Sequence, residues 1–137
     1  MSTFHLEIVV PDRAFYSDEV QELLVQTPDG EIGILKGHIP MVVAISIGIV
    51  KIKKDDKWIY AFVSEGFMEV TFEKTVVLAD SAEWPEEIDV ERAKAAEERA
   101  RKRLDTQTKL GGIEHISSQA ALQRALSRQK VSEKSNK

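Results

Sequence analysis

The chain has 137 residues, of which 42% are hydrophobic, and a formal net charge of −4. It contains no cysteine, which excludes disulfides and thiolate chemistry, and its histidines, His5, His38 and His115, lack the spacing of metal ligands. The longest apolar run, 39–50, is too short to span a bilayer, so we expect no direct insertion into a membrane.

Charge divides the sequence into two parts. Residues 1–85 hold 7 Lys/Arg and 14 Asp/Glu, whereas residues 86–137 hold 12 Lys/Arg and 9 Asp/Glu. This asymmetry predicts two modules with different partners. Every aromatic residue lies at or before Trp84, outside the basic half. Nucleic-acid binders interleave aromatic and basic residues, so we expect no nucleic-acid partner.

Short alternating segments fill the first module. Phe4 to Val10 alternates apolar and polar residues, as a half-buried strand does, and Pro28-Asp29-Gly30 predicts a hairpin turn between strands 20–27 and 31–35. Further strands are predicted over 41–46, 48–53, 58–62, 67–72 and 75–79, with a polar turn at 54–57. Residues 1–84 are therefore expected to form an all-β sandwich or flattened barrel, with Trp58, Tyr60 and Phe62 in its core.

The second module, 85–137, has helical spacing. Pro85 suits a first helical turn, and no glycine or further proline follows before Gly111-Gly112. Ser117 or Ser118 is expected to cap a second helix. The apolar positions expected to line the contact between the two helices are mostly alanine: Ala93, Ala96, Ala100 and Leu104, then Ala121, Leu122, Ala125 and Leu126.

These elements predict an α+β fold, in which the sandwich is followed by an antiparallel two-helix hairpin. A buried alanine methyl contributes roughly 1 kcal/mol or less, against about 1.5–3 kcal/mol for Leu or Phe. The hairpin is therefore either a mobile element or an ordinary hairpin of modest stability.

The stretch EIGILKGHIP, from Glu31 to Pro40, combines a strand with an unusual exit. Gly33 would permit close backbone approach or mark a bulge, Gly37 would permit a turn that other residues resist, and Pro40 would fix the exit. The expected result is a stiff, exposed corner that presents Glu31 and His38 outward. His38 can equally be a structural histidine whose hydrogen bonds are satisfied.

This stretch, the preceding PDGEIG and the later SEGFMEV (64–70) resemble the epsilon subunit of F-type ATP synthases. The resemblance covers the whole chain. Lys36 stands where that family usually has proline, and Glu65 where it often has glycine. Lys109 to Ile116 also forms a slightly longer loop than the family pattern.

The resemblance implies a non-catalytic subunit of the central stalk, peripheral on the cytoplasmic face of a bacterial cell membrane. Its sandwich would bind the gamma subunit and the c-ring, and Glu31 and His38 would contact these subunits. Its hairpin would move between a compact state on the sandwich and an extended state along gamma. The extended state would meet the catalytic alpha and beta subunits and inhibit ATP hydrolysis, and the ion driving the enzyme would be a proton or sodium.

The segment IDVERA, Ile88 to Ala93, resembles the I/L-D-x-x-R-A motif of epsilon subunits that bind ATP. Helical spacing puts Asp89, Arg92, Ala96 and Arg99 on one face. Arg124 and Arg128 share a face of the second helix, so a folded hairpin could direct several guanidinium groups at a triphosphate. The expected ATP-binding set is Glu83, Ile88, Asp89, Arg92, Ala93, Arg99, Arg124 and Arg128.

ATP, with or without Mg²⁺, would be a regulatory ligand, because the sequence has no P-loop for hydrolysis. Asp89 would accept hydrogen bonds from the ribose or adenine, and Ala93 would leave room for the base. Alternatively, Asp89 and Arg92 form an ordinary surface pair.

Two other functions fit the sequence less well. No Ser-His-Asp order, nucleophile elbow or metal cluster indicates an enzyme, and no catalytic cofactor is expected. The alternative is a free-standing β-sandwich that binds a small ligand or a protein and carries a helical tail.

Overall fold

A computed structural model describes residues 2–107 and 113–134. Within these residues the chain forms ten β-strands, one 3₁₀ turn and two α-helices. Their bounds are β1 Phe4–Val10, β2 Arg13–Val20, β3 Glu22–Thr27, β4 Gly30–Leu35, β5 Met41–Ile45, β6 Gly48–Lys54, β7 Lys57–Val63, β8 Gly66–Val70, β9 Lys74–Ala79, β10 Ala82–Glu83, the 3₁₀ turn Pro85–Glu87, α1 Val90–Gln107 and α2 Ile113–Ser132.

The strands form two five-stranded sheets, in the orders β2-β1-β9-β8-β5 and β10-β7-β6-β3-β4. β1 and β9 run parallel, and the other neighbouring strands run antiparallel. The inward residues of both sheets, among them Leu6, Ile8, Leu23, Ile52 and Met68, are fully buried in one core. Alternating side chains therefore close a sandwich, which confirms the predicted fold class.

The strand β2 is missing from the predicted elements. It forms a hairpin with β1 in which Val10 pairs with Arg13, and the register shifts between Ile8 and Val9. Only Phe15 and Val20 of β2 are buried, so the strand has too few apolar residues to show a clear period of two.

The EIGILKGHIP segment also differs from its prediction. Gly33 pairs in regular register with Leu24, so there is no bulge, and a Cβ at Gly33 would meet the end of the Leu24 side chain at 3.1 Å. Gly37 has φ +84°, which agrees with the turn expected there.

The three aromatic residues of β7 do not enter the sandwich core. Ala61 and Val63 point into the core instead, so Trp58, Tyr60 and Phe62 lie on the outer face of the second sheet. Phe62 is fully buried there under the helices, in an apolar cluster with Ile47, Ile88 and Val131. The predicted alternation along β7 is confirmed, but the sequence does not show which face of the sheet the helices cover.

The two helices pack against each other and run antiparallel. Gln129, late in α2, donates to Glu97 in the first half of α1 at 2.8 Å, and Leu104 lies beside Gln119 and Leu122. Ala93, Ala100 and Ala125 are buried, as the alanine pattern predicts. α2 lies against β6 and β7, so the helical hairpin, α1 and α2, is in its compact arrangement on the sandwich.

Both predicted helix starts are wrong. Pro85–Glu87 form a separate 3₁₀ turn, Ile88 is extended, and α1 begins at Val90. α2 begins at Ile113, so Ser117 and Ser118 lie inside it, and Ser118 is buried. The break predicted at Gly111 and Gly112 lies outside the described residues.

Candidate functional site

A cavity of about 430 Å³ lies where the helical hairpin meets the sandwich. We call it the hairpin cavity. Three segments line it: the end of the sandwich with the 3₁₀ turn, the first half of α1, and the second half of α2. Its lining residues are Ser81, Glu83, Glu87, Asp89, Arg92, Ala93, Ala96, Arg99 and Arg128.

Six of the eight predicted ATP-binding residues are brought together here, and two are not. The six are Glu83, Asp89, Arg92, Ala93, Arg99 and Arg128. The side chain of Ile88 is buried in the apolar cluster under α2. Arg124 instead pairs with Glu65, with Nη2 at 2.8 Å from Oε1.

Asp89 is the N-cap of α1. The Arg92 backbone N–H donates to Asp89 Oδ1 at 3.0 Å, which satisfies one of the helix donors that have no intrahelical partner. Asp89 and Arg92 make no side-chain ion pair with each other. The spacing that suggested a surface pair therefore reflects a cap, and the second oxygen, Oδ2, is left for another contact.

The arginines of the hairpin cavity differ in their partners. Arg92 and Arg99, both exposed on α1, make no ion pair with another described residue. Arg128 Nε lies 2.5 Å from Glu83 Oε1, and its guanidinium lies over the Phe62 ring at 4.5 Å from the centroid. Two free cations on one helix and a fixed cation opposite them favour an anionic ligand with several oxygens.

Glu87 holds in place the 3₁₀ turn that borders this cavity. Its carboxylate accepts from the Trp84 N–H at 3.0 Å and from Arg13 Nη2 at 3.0 Å. The Trp84 backbone bond, and then Arg13, hold the pKa of Glu87 below its usual value. Trp84 itself stacks on Phe15, with ring centroids 4.4 Å apart.

Sequence reasoning missed three residues of this region. Ser81 and Glu87 line the hairpin cavity, and Phe62 lies beneath Arg128. Glu87 carried a signal, since an acidic residue so close to a helix start commonly acts in capping. Phe62 carried no such signal, because an apolar residue of a strand gives no indication of a cation above it.

The predicted contact residues Glu31 and His38 do not form one corner. Glu31 follows the β3–β4 turn, whereas His38 lies beyond the other end of β4, so roughly 13 Å of strand separates these ends. Glu31 Oε2 accepts from Gln26 at 2.9 Å and lies 3.3 Å from Lys51 Nζ. His38 is half-buried, and its Nδ1 donates to the Ile39 carbonyl at 2.8 Å.

A second surface feature lies on the face of the sandwich away from the helices. Phe67 of β8 pairs with Leu78 of β9 and with Ala44 of β5, and all three are exposed. Val42 lies two residues along β5 and is also exposed. We call Val42, Ala44, Phe67 and Leu78 the outer-face patch. A contiguous apolar surface of this kind favours a protein partner.

The described part of the chain shows neither a metal site nor a membrane-spanning helix. Residues 2–107 and 113–134 hold no group of three or more His, Asp or Glu side chains that could bind a metal ion. Neither helix of the same residues is long and apolar enough to cross a membrane.

Known proteins share both parts of this arrangement. Residues 3–85 match the family model for the beta-sandwich domain of the ATP synthase delta/epsilon chain, and residues 86–133 match the model for its long alpha-helix domain. The ATP synthase epsilon chain of Caldanaerobacter subterraneus is 50% identical over 133 residues, covering 96% of this chain and 95% of that protein. The epsilon chain of Ruminiclostridium cellulolyticum is 48% identical over 128 residues, covering 93% and 94%.

Two solved structures have the same fold. One is a chain of the Euglena gracilis mitochondrial ATP synthase, with a TM-score of 0.79, 24% identity, and coverage of 93% of this chain and 79% of that one. The other is a chain of the Tetrahymena thermophila mitochondrial ATP synthase, described as central stalk and c-ring, with a TM-score of 0.61, 10% identity and coverage of 94% and 96%. Both family models match, and the two bacterial relatives are about half identical to this chain over nearly their full length. This chain therefore belongs to the family of bacterial ATP synthase epsilon chains, the non-catalytic subunits of the enzyme's central stalk.

Proposed function

We propose that residues 1–84 anchor this chain to the gamma subunit and the c-ring, and that residues 85–137 form a regulatory arm that binds ATP when folded. The assembled enzyme would lie at the bacterial cell membrane, with this subunit peripheral on its cytoplasmic face. Family membership argues against the alternative, a free-standing binding module.

The observation that carries the ATP proposal is the hairpin cavity. Its volume, about 430 Å³, falls in the range of roughly 300–1,000 Å³ typical of small-molecule pockets. Arg92 and Arg99 on one wall and Arg128 on the other would hold the triphosphate. Asp89 Oδ2 would accept from the ribose or the adenine amino group, and Ala93 would leave space for the base.

The regulatory role follows from where the cavity lies. Its walls come from both helices and from the sandwich, so a ligand in it contacts all three only in the compact state. Such a ligand stabilises that state by RT ln(1 + [L]/Kd), about 2.7 kcal/mol at a hundredfold excess over Kd. The alanine-rich contact between the helices contributes little apolar area, so this amount would decide the equilibrium.

The consequence for the enzyme is a response to nucleotide level. At high ATP the hairpin would stay compact and permit turnover. At low ATP it would extend along gamma, meet the catalytic alpha and beta subunits, and inhibit wasteful hydrolysis. Mg²⁺ would matter only as a companion of the triphosphate.

Calorimetric titration with ATP, with and without Mg²⁺, tests the binding step. We expect the double variant Arg92→Ala/Arg99→Ala to bind at least tenfold more weakly than the wild type, because both unpaired cations at the cavity are lost. Arg103→Ala is the matched control, since Arg103 is exposed on the same helix and does not line the cavity. Equal affinities of all three proteins would exclude the site.

The anchor is supported by the outer-face patch, which leaves four apolar side chains in water when no partner covers them. We propose that gamma covers this patch. We also propose that Glu31 and His38, at the two ends of β4, contact gamma or the c-ring. A Phe67→Asp variant should lose most of its binding to purified gamma, whereas Glu69→Gln, on the same exposed strand face, should keep it. Undiminished binding by Phe67→Asp would place the gamma contact elsewhere.

A further inference from the structure

A second sandwich carboxylate holds α2 close to the hairpin cavity. Glu65 lies in the turn between β7 and β8, and its Oε1 is 2.8 Å from Arg124 Nη2. One helical turn further along α2, Arg128 makes the corresponding pair with Glu83. Two arginines four residues apart are thus each neutralised by a carboxylate of the sandwich.

The two pairs differ in their relation to the cavity. Glu83 and Arg128 both line it, whereas Glu65 and Arg124 do not. The Glu65 pair is nevertheless adjacent, because the Asp80 N–H donates to the Glu65 carbonyl at 3.1 Å and the next residue, Ser81, lines the cavity. Four residues of α-helix rise only about 6 Å, so Arg124 is within about that distance of Arg128 along α2.

A guanidinium group binds carboxylate and phosphate oxygens with the same planar donor geometry. Arg124 can therefore serve Glu65 or an anionic ligand in the cavity. Because it does not line the cavity while it pairs with Glu65, it has to leave Glu65 to reach such a ligand. The Glu65 side chain is 50% exposed and Arg124 is 33% exposed, so the pair is accessible for exchange.

We propose that Glu65 competes with the phosphates of the nucleotide for Arg124 and thereby sets the nucleotide affinity of the hairpin cavity. The inference rests on the proposed ATP site. In the nucleotide-free compact state Glu65 holds Arg124. On binding, the triphosphate takes Arg124 and leaves the Glu65 carboxylate to water. The free energy of the Glu65–Arg124 pair is therefore subtracted from the free energy of binding.

Glu65→Gln tests this proposal, because it keeps the size of the side chain and removes the charge. We expect this variant to bind ATP about two- to fivefold more tightly than the wild type, the range that a half-exposed ion pair can supply. Glu69→Gln is the matched control and should leave the affinity unchanged. Amide protection of α2, measured without nucleotide, reports whether the hairpin stays compact in each variant.

A double-mutant cycle identifies the partner. In an Arg124→Ala background, Glu65→Gln should no longer change ATP affinity, since there is no guanidinium left to release. An unchanged or weakened affinity of Glu65→Gln, with α2 still protected, would overturn the role of Glu65 and leave the ATP site standing. A gain that persists without Arg124 would also overturn it. Absence of ATP binding in the wild type and in every variant would remove the ATP site and, with it, this inference.

Discussion

Asp89 combines a local structural contact with a position at the hairpin cavity. Its Oδ1 caps α1 through the Arg92 N–H, while its side chain also lines the hairpin cavity. Loss of ATP binding in an alanine variant would therefore not separate a lost contact from a lost helix end. The two roles require different substitutions.

We predict that Asp89→Ala lowers the stability of α1 by about 1 kcal/mol, because alanine cannot cap, whereas Asp89→Asn preserves the helix end. Amide exchange at residues 90–93 measures this difference. Both variants should bind ATP more weakly than the wild type, and Asp89→Ala should bind most weakly. Unchanged ATP binding by Asp89→Asn would mean that the carboxylate charge serves only the helix.

The sequence predicted much of this site because its residues repeat at helical spacing. Arg92, Ala96 and Arg99 fall on one face in any helix that includes residues 92–99, so their convergence did not depend on the exact start of α1. The partners of Arg124 and Arg128 could not be predicted in the same way. Glu65 and Glu83 approach α2 only through the docking of the hairpin, and a local pattern carries no information about that contact.

At the scale of the element, the helical hairpin is attached mainly through α2. Val131 is fully buried against Phe62, Ile47 and Ile88, and Gln123 donates to the Ile47 carbonyl at 3.3 Å. This second apolar cluster is small and lies outside the sandwich core. We therefore expect the hairpin to detach without unfolding the strands.

We predict that Val131→Ala destabilises the docked hairpin by about 1–3 kcal/mol, through lost apolar burial and the cavity left behind. Hydrogen exchange should become faster in α1 and α2 while β1 and β8 keep their protection. Ile116→Ala is the control, because Ile116 lies on the same helix and is 65% exposed. Equal loss of protection in helices and strands would show that the two parts unfold as one unit.

Elements were predictable where one face of a segment is buried and the other is wet. β1, β3 and β6 alternate in this way, and their positions agree with the sequence. β2 was missed because it lies at the edge of the first sheet with few buried residues. The outward position of Phe62 could not be predicted, since an apolar residue on either face of β7 satisfies the same period of two.

At the scale of the whole molecule, several carboxylates depend on partners that only the folded chain provides. The pKa of Asp18 is lowered chiefly by the hydrogen bond from Lys54, and the pKa of Glu97 chiefly by the bond from Gln129 and then by Arg101. Glu87 behaves in the same way. Burial, and then Asp18, raises the pKa of Tyr16, and the bond to Asp18 raises the pKa of Lys54.

These directions predict a plateau of stability with a fall on each side. Carboxylates with a lowered pKa stabilise the fold above their ordinary values, 3.8 for Asp and 4.5 for Glu, and this contribution is lost as the pH falls through their folded values. Groups with a raised pKa contribute below 10.0 for Tyr16 and 10.5 for Lys54, and this is lost as the pH rises further. Urea unfolding between pH 3 and 11 measures the profile.

Glu87→Gln separates one contribution from the rest. The variant should be less stable than the wild type near neutral pH and should lose less stability on acidification, because the ionised form no longer matters at this position. If the variant loses as much stability on acidification as the wild type, Glu87 does not contribute to the acid-induced loss.

The parallel pairing of β1 with β9 has a consequence for synthesis. Residues 5–9 lie in the first sheet between its edge strand β2 and a strand formed by residues 74–78. Since a ribosome makes the amino end first, at about 5–20 residues per second, β1 must wait several seconds for its neighbour. During that interval β1 can pair only with β2, and closure of so long a loop is expected to be the slow event in maturation.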